Sequence, residues 1–112
     1  LRVEIFGGVM TIFKQKPNEC YICHRSCENL QTHHVYEGAF RQRSEQYGLT
    51  VKLCPDCHTG DNGVHLHEAL NRALKAHIQK KAMAFYHWNK QDFVSRFGRN
   101  YIRNEEKTNG KS

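Results

Sequence analysis

The chain has 112 residues, room for one domain, and with 38% hydrophobic and 25% charged residues it reads as a globular domain rather than a disordered one. No apolar run approaches the length of a membrane span, so a membrane is not expected as a partner. Lysine and arginine number 17 against 11 acidic residues, a net charge of +6, and such an excess favours a polyanionic partner.

A chain this short buries a modest core, and small domains lean on a metal or on disulfides to fold. There are five cysteines, an odd count that does not close a disulfide framework. Leu1 to Thr11 is too short, and too interrupted by Glu4, Gly7 and Gly8, for a signal peptide. A reducing, cytoplasmic setting is therefore expected, with thiols as metal ligands or free groups. Met10 is a candidate start, with residues 1–9 then an upstream extension.

In chain order, residues 1–18 read as an N-terminal extension or an edge strand, closing on the turn signal Pro17-Asn18. The domain proper is expected over 19–103. Cys20 and Cys23 open it, and Thr32 to Tyr36 reads as a strand. Gly38 breaks that strand, Phe40 to Tyr47 fits two helical turns, and Gly48 stops them. Leu49 to Leu53 alternates as a second strand and runs into Cys54-Pro55-Asp56-Cys57-His58. Thr59 to Gly63 is a loop by composition. From about Val64 to Trp88, Leu66, Leu70, Leu74, Ile78, Ala82 and Phe85 recur three or four apart and predict one long amphipathic helix. Asn89 reads as the N-cap of a short last helix, with Asp92 at its third position, Phe93, Val94 and Phe97 within it and Gly98 at its end. Residues 104–112 are polar and unpatterned, a disordered tail.

Cys20-x-x-Cys23 and Cys54-x-x-Cys57 form two knuckles separated by residues 24–53. Each pair directs two thiolates at one point, and two pairs complete the tetrahedron that zinc prefers, closed to substrate and therefore structural. Free or redox-active cysteines are the alternative, and Cys23-x3-Cys27 is a second way to make a knuckle. Eight histidines is a high count, and their placement is uneven. His33 and His34 are neighbours on a strand, where side chains diverge, so one imidazole can bind an ion while the other takes a proton from water. His58 directly follows the second knuckle and His65 comes seven residues later. Folding around zinc would draw His33, His58 and His65 towards a common point.

These strings, with His33-His34-Val35-Tyr36-Glu37-Gly38, Gln46-Tyr47-Gly48-Leu49, Gly63-Val64-His65 and Phe97-Gly98-Arg99-Asn100-Tyr101, resemble the zinc-bearing branch of the HNH endonuclease family. The closest likeness is to small HNH-like proteins encoded in bacteriophages and prophages, and it spans about residues 20–102. The resemblance implies an α+β, ββα-metal fold with a long C-terminal helix and a short final one, acting on DNA phosphodiesters. It assigns His34 as general base, His33 and His58 as metal ligands, and His65 as an additional ligand. It implies a structural zinc and one catalytic divalent ion, for which several imidazoles suit manganese, nickel or zinc better than magnesium. One departure stands out. The family carries an Asn five residues before the first cysteine of the second knuckle, and this chain has Leu49 there.

Arg41, Arg43 and Lys52 flank the proposed site as phosphate contacts, which would position DNA without reading its sequence. A homodimer or a phage protein are the further candidate partners. The rival to a nuclease is the same scaffold, catalytically silent, holding DNA or a protein; Leu49 is the residue that favours it. A thiol redox protein is a third, distant reading.

Overall fold

The run Gln31–His34 buries His33 alone, and Thr50–Leu53 is buried at every position but Lys52. In the computed structural model, which describes residues 4–6 and 9–102, they pair antiparallel, with Gln31 opposite Leu53 and His34 opposite Thr50. We call them β3 and β4. Ahead of them Glu4–Phe6 (β1) and Val9–Thr11 (β2) form a second antiparallel pair. The helices are Arg41–Gln46 (α1, entered through the 3₁₀ turn Gly38–Phe40), Pro55–His58 (α2), Glu68–Tyr86 (α3) and Lys90–Phe97 (α4). The chain is thus a small α+β protein, and among the described residues no helix is long and apolar enough to cross a membrane. The expected tail at 104–112 lies outside the described residues, as do residues 1–3.

The outer edge of β4 is covered by the N-terminal chain, which stops it from templating another strand. Thr11 donates its hydroxyl to the Thr50 carbonyl (2.7 Å) and the Ile12 amide donates to the Gly48 carbonyl (3.0 Å). Gln15 then acts as a strand substitute. Its amide nitrogen donates to the carbonyls of Glu19 and Lys52, both at 2.7 Å, and its oxygen accepts from the Lys52 amide. The first 18 residues therefore contribute both a strand pair and an edge cover.

Past β3, Ser44 ties α1 to the strand end. Its fully buried hydroxyl accepts from the Tyr36 amide (3.1 Å) and donates to the Tyr36 carbonyl (2.7 Å). Gly48 ends α1 with φ +72°, and a Cβ there would stand 3.1 Å from both the Ile12 amide nitrogen and its Cγ2. Leu49 is fully buried, and its carbonyl accepts from the Val35 amide.

The long helix is shorter than its apolar pattern predicts, beginning at Glu68 rather than Val64 and ending at Tyr86 rather than Trp88. At its start, the Val64 and His65 amides tie the chain back to Cys57 and His58 on α2, and His67 is extended (φ −125°, ψ 100°), so the helix begins only after it. Leu66, the first member of the predicted stripe, is 62% exposed. At its end His87 turns left-handed, φ +61°, and closes the helix. Leu74, Ile78 and Ala82 are the part of the stripe that is buried. The α4 expectations match the structure: Asn89 and Asp92 form a reciprocal capping box, and Gly98 closes the helix at φ +87°. Phe93 and Phe97 stack at 5.0 Å and meet the Tyr36 ring, whose hydroxyl donates to the Lys75 carbonyl of α3 (2.6 Å). The buried Gln79 donates to Asn100 and accepts from the Tyr101 amide, holding the chain after α4 against α3.

Replacing Gly48 with Ala puts a Cβ in a left-handed residue already pressed by Ile12. The expected loss is about 1–2 kcal/mol of unfolding free energy, read from the midpoint shift in urea.

Candidate metal centre

The segment 19–26 turns back on itself. Glu19 bridges Ser26, the Cys20 amide donates to the Arg25 carbonyl, and the His24 amide donates to the Cys20 carbonyl with His24 left-handed at φ +63°. This tight turn aims Cys20 and Cys23 one way. The Tyr21 amide donates to the Lys52 carbonyl, pinning the turn beside β4 just before Cys54. Pro55 then starts α2, whose single turn brings Cys57 round beside Cys54.

The four sulfurs of Cys20, Cys23, Cys54 and Cys57 all lie within 4.8 Å of one another, and Cys23 and Cys54 are 3.8 Å apart. A zinc ion with Zn–S bonds of about 2.3 Å separates its tetrahedral sulfurs by about 3.8 Å, so the spacing fits that ion. Charge points the same way. Burial pushes the Cys54 and Cys57 thiols up, Cys57 strongly and with help from the neighbouring sulfurs. Burial also works against Cys23, but the Arg25 hydrogen bond (Nε to Sγ, 3.2 Å) brings it down to about 6. One ionised sulfur among reluctant neighbours is a site that a divalent cation completes. Cys27, partly buried, is outside the group.

Three of the predicted histidines also meet. Ring nitrogens of His33, His58 and His65 lie within 4.8 Å of one another, and the ring centres are 4.8 to 5.4 Å apart, tilted edge-on by 60° to 90°. Each comes from a different element: His33 from β3, His58 from the end of α2, and His65 from the loop folded back on α2. The Nε2 of His33 is buried with no hydrogen-bond partner, and leaving such an atom unmatched costs about 1–3 kcal/mol. Burial, then the charges of His58 and His65, push His33 down to about 3, so the ring is neutral and its lone pair available near pH 7. His58 Nδ1 is 2.7 Å from the Gln31 side-chain oxygen, which accepts its hydrogen and turns Nε2 to the cluster. Three imidazoles, one an orphan and one oriented by a second residue, form a donor set suited to a borderline divalent ion.

An open cleft of about 330 Å³ gives access to these rings, lined by Thr32, His33, His34, Glu37, Gly38, Arg41, His58 and His65. His34 joins the cleft from the strand position after His33, and its Nε2 donates to Glu45 Oε2 of α1 at 2.7 Å. Of the basic residues singled out from the sequence, Arg41 lines the cleft. Arg43 and Lys52 do not: Arg43 donates to the Arg96 carbonyl, and Lys52 donates to Thr32 Oγ1 (2.6 Å) from a strand whose side chain borders a separate hollow with Gln15 and Glu28. Glu37 faces the cleft paired with Lys75 (3.2 Å).

Sequence reading missed Gln31, Glu45 and the outer brace of the cysteine group. That brace runs from Arg25 to Asp56 (3.5 Å) and from Asn62 to Asp56 (3.1 Å), with the Asn62 hydrogen bond holding the Asp56 carboxyl below its usual range. Lone polar residues of this kind carry no periodic signal. Gln31 alone sat next to a predicted strand. No family model matches the chain, and neither does any curated protein or solved structure.

The two clusters predict two divalent ions bound per chain. Elemental analysis after dialysis should give about two for the native protein and about one for His33→Ala, with the fold retained in circular dichroism. Cys54→Ser should instead lose folded signal altogether, because ion affinity at the cysteine group is folding free energy.

Proposed function

We propose that this chain is a metal-dependent endonuclease of HNH type that hydrolyses DNA phosphodiesters, and that it works in the cytoplasm of a bacterial or phage-infected cell. The observation that carries the reading is the convergence of His33, His58 and His65, with a buried unpartnered Nε2, in a cleft that His34 also lines. The net charge of +6 and Arg41 at the cleft support a polyanionic substrate. The motif residues support the family assignment.

His33, His58 and His65 would hold the catalytic divalent ion. Bound there, it supplies positive charge against the extra negative charge that builds on the phosphate and on the departing 3′ oxygen. His34 performs the chain's own chemistry. A water in the cleft gives its proton to the imidazole as its oxygen forms the new bond to phosphorus. The bond from phosphorus to the 3′ oxygen breaks, and that oxygen leaves with the electron pair and takes a proton from solvent. Arg41 holds a phosphate of the strand so that the scissile group stays over the site.

The alternative is the same scaffold without chemistry, holding DNA or a protein partner. What favours it is Leu49, a fully buried core residue at the position where the family has Asn.

Plasmid nicking by metal-loaded protein across magnesium, manganese, nickel and zinc separates the two. His34→Ala is expected to lower the nicking rate by about 10²–10⁴-fold while band-shift affinity for DNA stays the same. Equal nicking by both proteins, or none by either, would move the assignment to the silent module. A second measurement addresses Arg41. Arg41→Ala should weaken DNA binding across all sequences alike and reduce the slope of log K against log salt by about one, whereas Lys52→Ala should leave that slope unchanged.

A further inference from the structure

A general base must present one particular ring nitrogen to water, so something must decide which nitrogen of His34 carries the hydrogen. In the family pattern an Asn helps orient this histidine. Here that position is Leu49, whose side chain is apolar and buried in the core, so only its backbone makes hydrogen bonds. We propose that Glu45 is the positioning residue for His34. Its carboxylate binds Nε2–H and thereby leaves Nδ1 as the nitrogen that accepts the proton. The catalytic half of this inference rests on the nuclease reading; the half that concerns the ring does not.

A carboxylate only accepts, so the nitrogen facing it at 2.7 Å must bear the hydrogen, and a neutral imidazole then has its lone pair on the other nitrogen. The pair is placed by the fold rather than by chance. Ser44, the residue before Glu45, is locked by two hydrogen bonds to Tyr36, two residues beyond His34 and just past the end of β3. The Leu49 amide donates to the Ser44 carbonyl (2.7 Å) and the Leu49 carbonyl accepts from Val35, which closes a loop of bonds around the His34–Glu45 contact. The histidine side chain is 11% exposed while that of the glutamate is 51% exposed. Half-exposed pairs add little to stability, so the contact's effect is to orient the ring. When water transfers its proton to Nδ1, the ring becomes a cation, and the Nε2–H bond to Glu45 becomes charge-assisted on both sides. The remaining atoms move as above: the water oxygen bonds phosphorus, and the 3′ oxygen departs with its electron pair.

The test uses the full-length chain loaded with zinc and labelled with ¹⁵N-histidine, read by long-range ¹⁵N–¹H correlation. Native protein should give His34 as the single Nε2–H tautomer. Glu45→Ala should give mixed tautomers, lower kcat for nicking by about 10–100-fold, leave KM within about twofold, and move the melting temperature by only a few degrees. Glu45→Gln keeps an acceptor oxygen, so it should restore the single tautomer and most of the lost rate. An Nδ1–H ring in native protein, or a Glu45→Ala ring and kcat like the native ones, would overturn the proposal. If the native protein nicks no DNA, the nuclease reading falls. The tautomer comparison then still decides whether Glu45 fixes the ring.

Discussion

Four sulfurs within 4.8 Å of one another cannot all ionise on their own, because each thiolate raises the cost of the next. Burial adds to that cost at Cys54 and Cys57, and only Cys23, supported by Arg25, is brought down. A cation among them reverses the balance, which makes this cluster the constraint on which the rest of the molecule depends. The turn at 19–26 and the strand-to-helix step at Cys54-Pro55 adjoin at this cluster, where the Arg25–Asp56 ion pair and a few backbone bonds to β4 also hold them. Once they adjoin, α2 has a fixed direction, and His58 at its end faces Gln31 and His33 across β3.

Elsewhere an aromatic cluster closes one end of a mainly aliphatic core. Tyr36, Phe93 and Phe97 pack α4 against the end of β3, and the Tyr36 hydroxyl reaches α3. This leaves polar side chains to do the fine placement around the cleft. Gln15 completes the edge of β4, Ser44 fixes α1, Gln31 aims His58, and Asp56 links Arg25 with Asn62 in the loop that leads to His65. Each of these acts through a few polar contacts, three hydrogen bonds at most, and such bonds are directional where apolar packing is not.

The parts of this design that repeat or pair at fixed spacing were legible in the sequence. Two CxxC knuckles, the adjacent His33 and His34, His58 after Cys57, and the Asn89–Asp92 cap are all local patterns whose chemistry requires that spacing. The start of α3 was not legible, because the chain at Val64 and His65 is tied to α2 and passes through an extended His67, a tertiary demand that overrides the apolar stripe. Glu45 and Gln31 were invisible for a different reason. A residue whose role is set by one contact across the fold looks like any other surface polar residue until its partner is placed beside it. The N-terminal edge cover through Gln15 belongs to the same class. Arg43 and Lys52 were near in sequence to the expected site but point to Arg96 and Thr32, since neighbours along a helix or strand face different ways.

Cys57 and His58 are consecutive residues of one four-residue helix, so a ligand of each cluster sits on the same turn of backbone. Ordering that turn is a conformational cost that either ion must meet when it binds alone, and that the second ion finds already met. Were each cluster to hold an ion, the two sites would be thermodynamically linked. The ion bound second would be held more tightly for the presence of the first. The protein's competence would then follow a threshold in metal supply instead of tracking it in proportion.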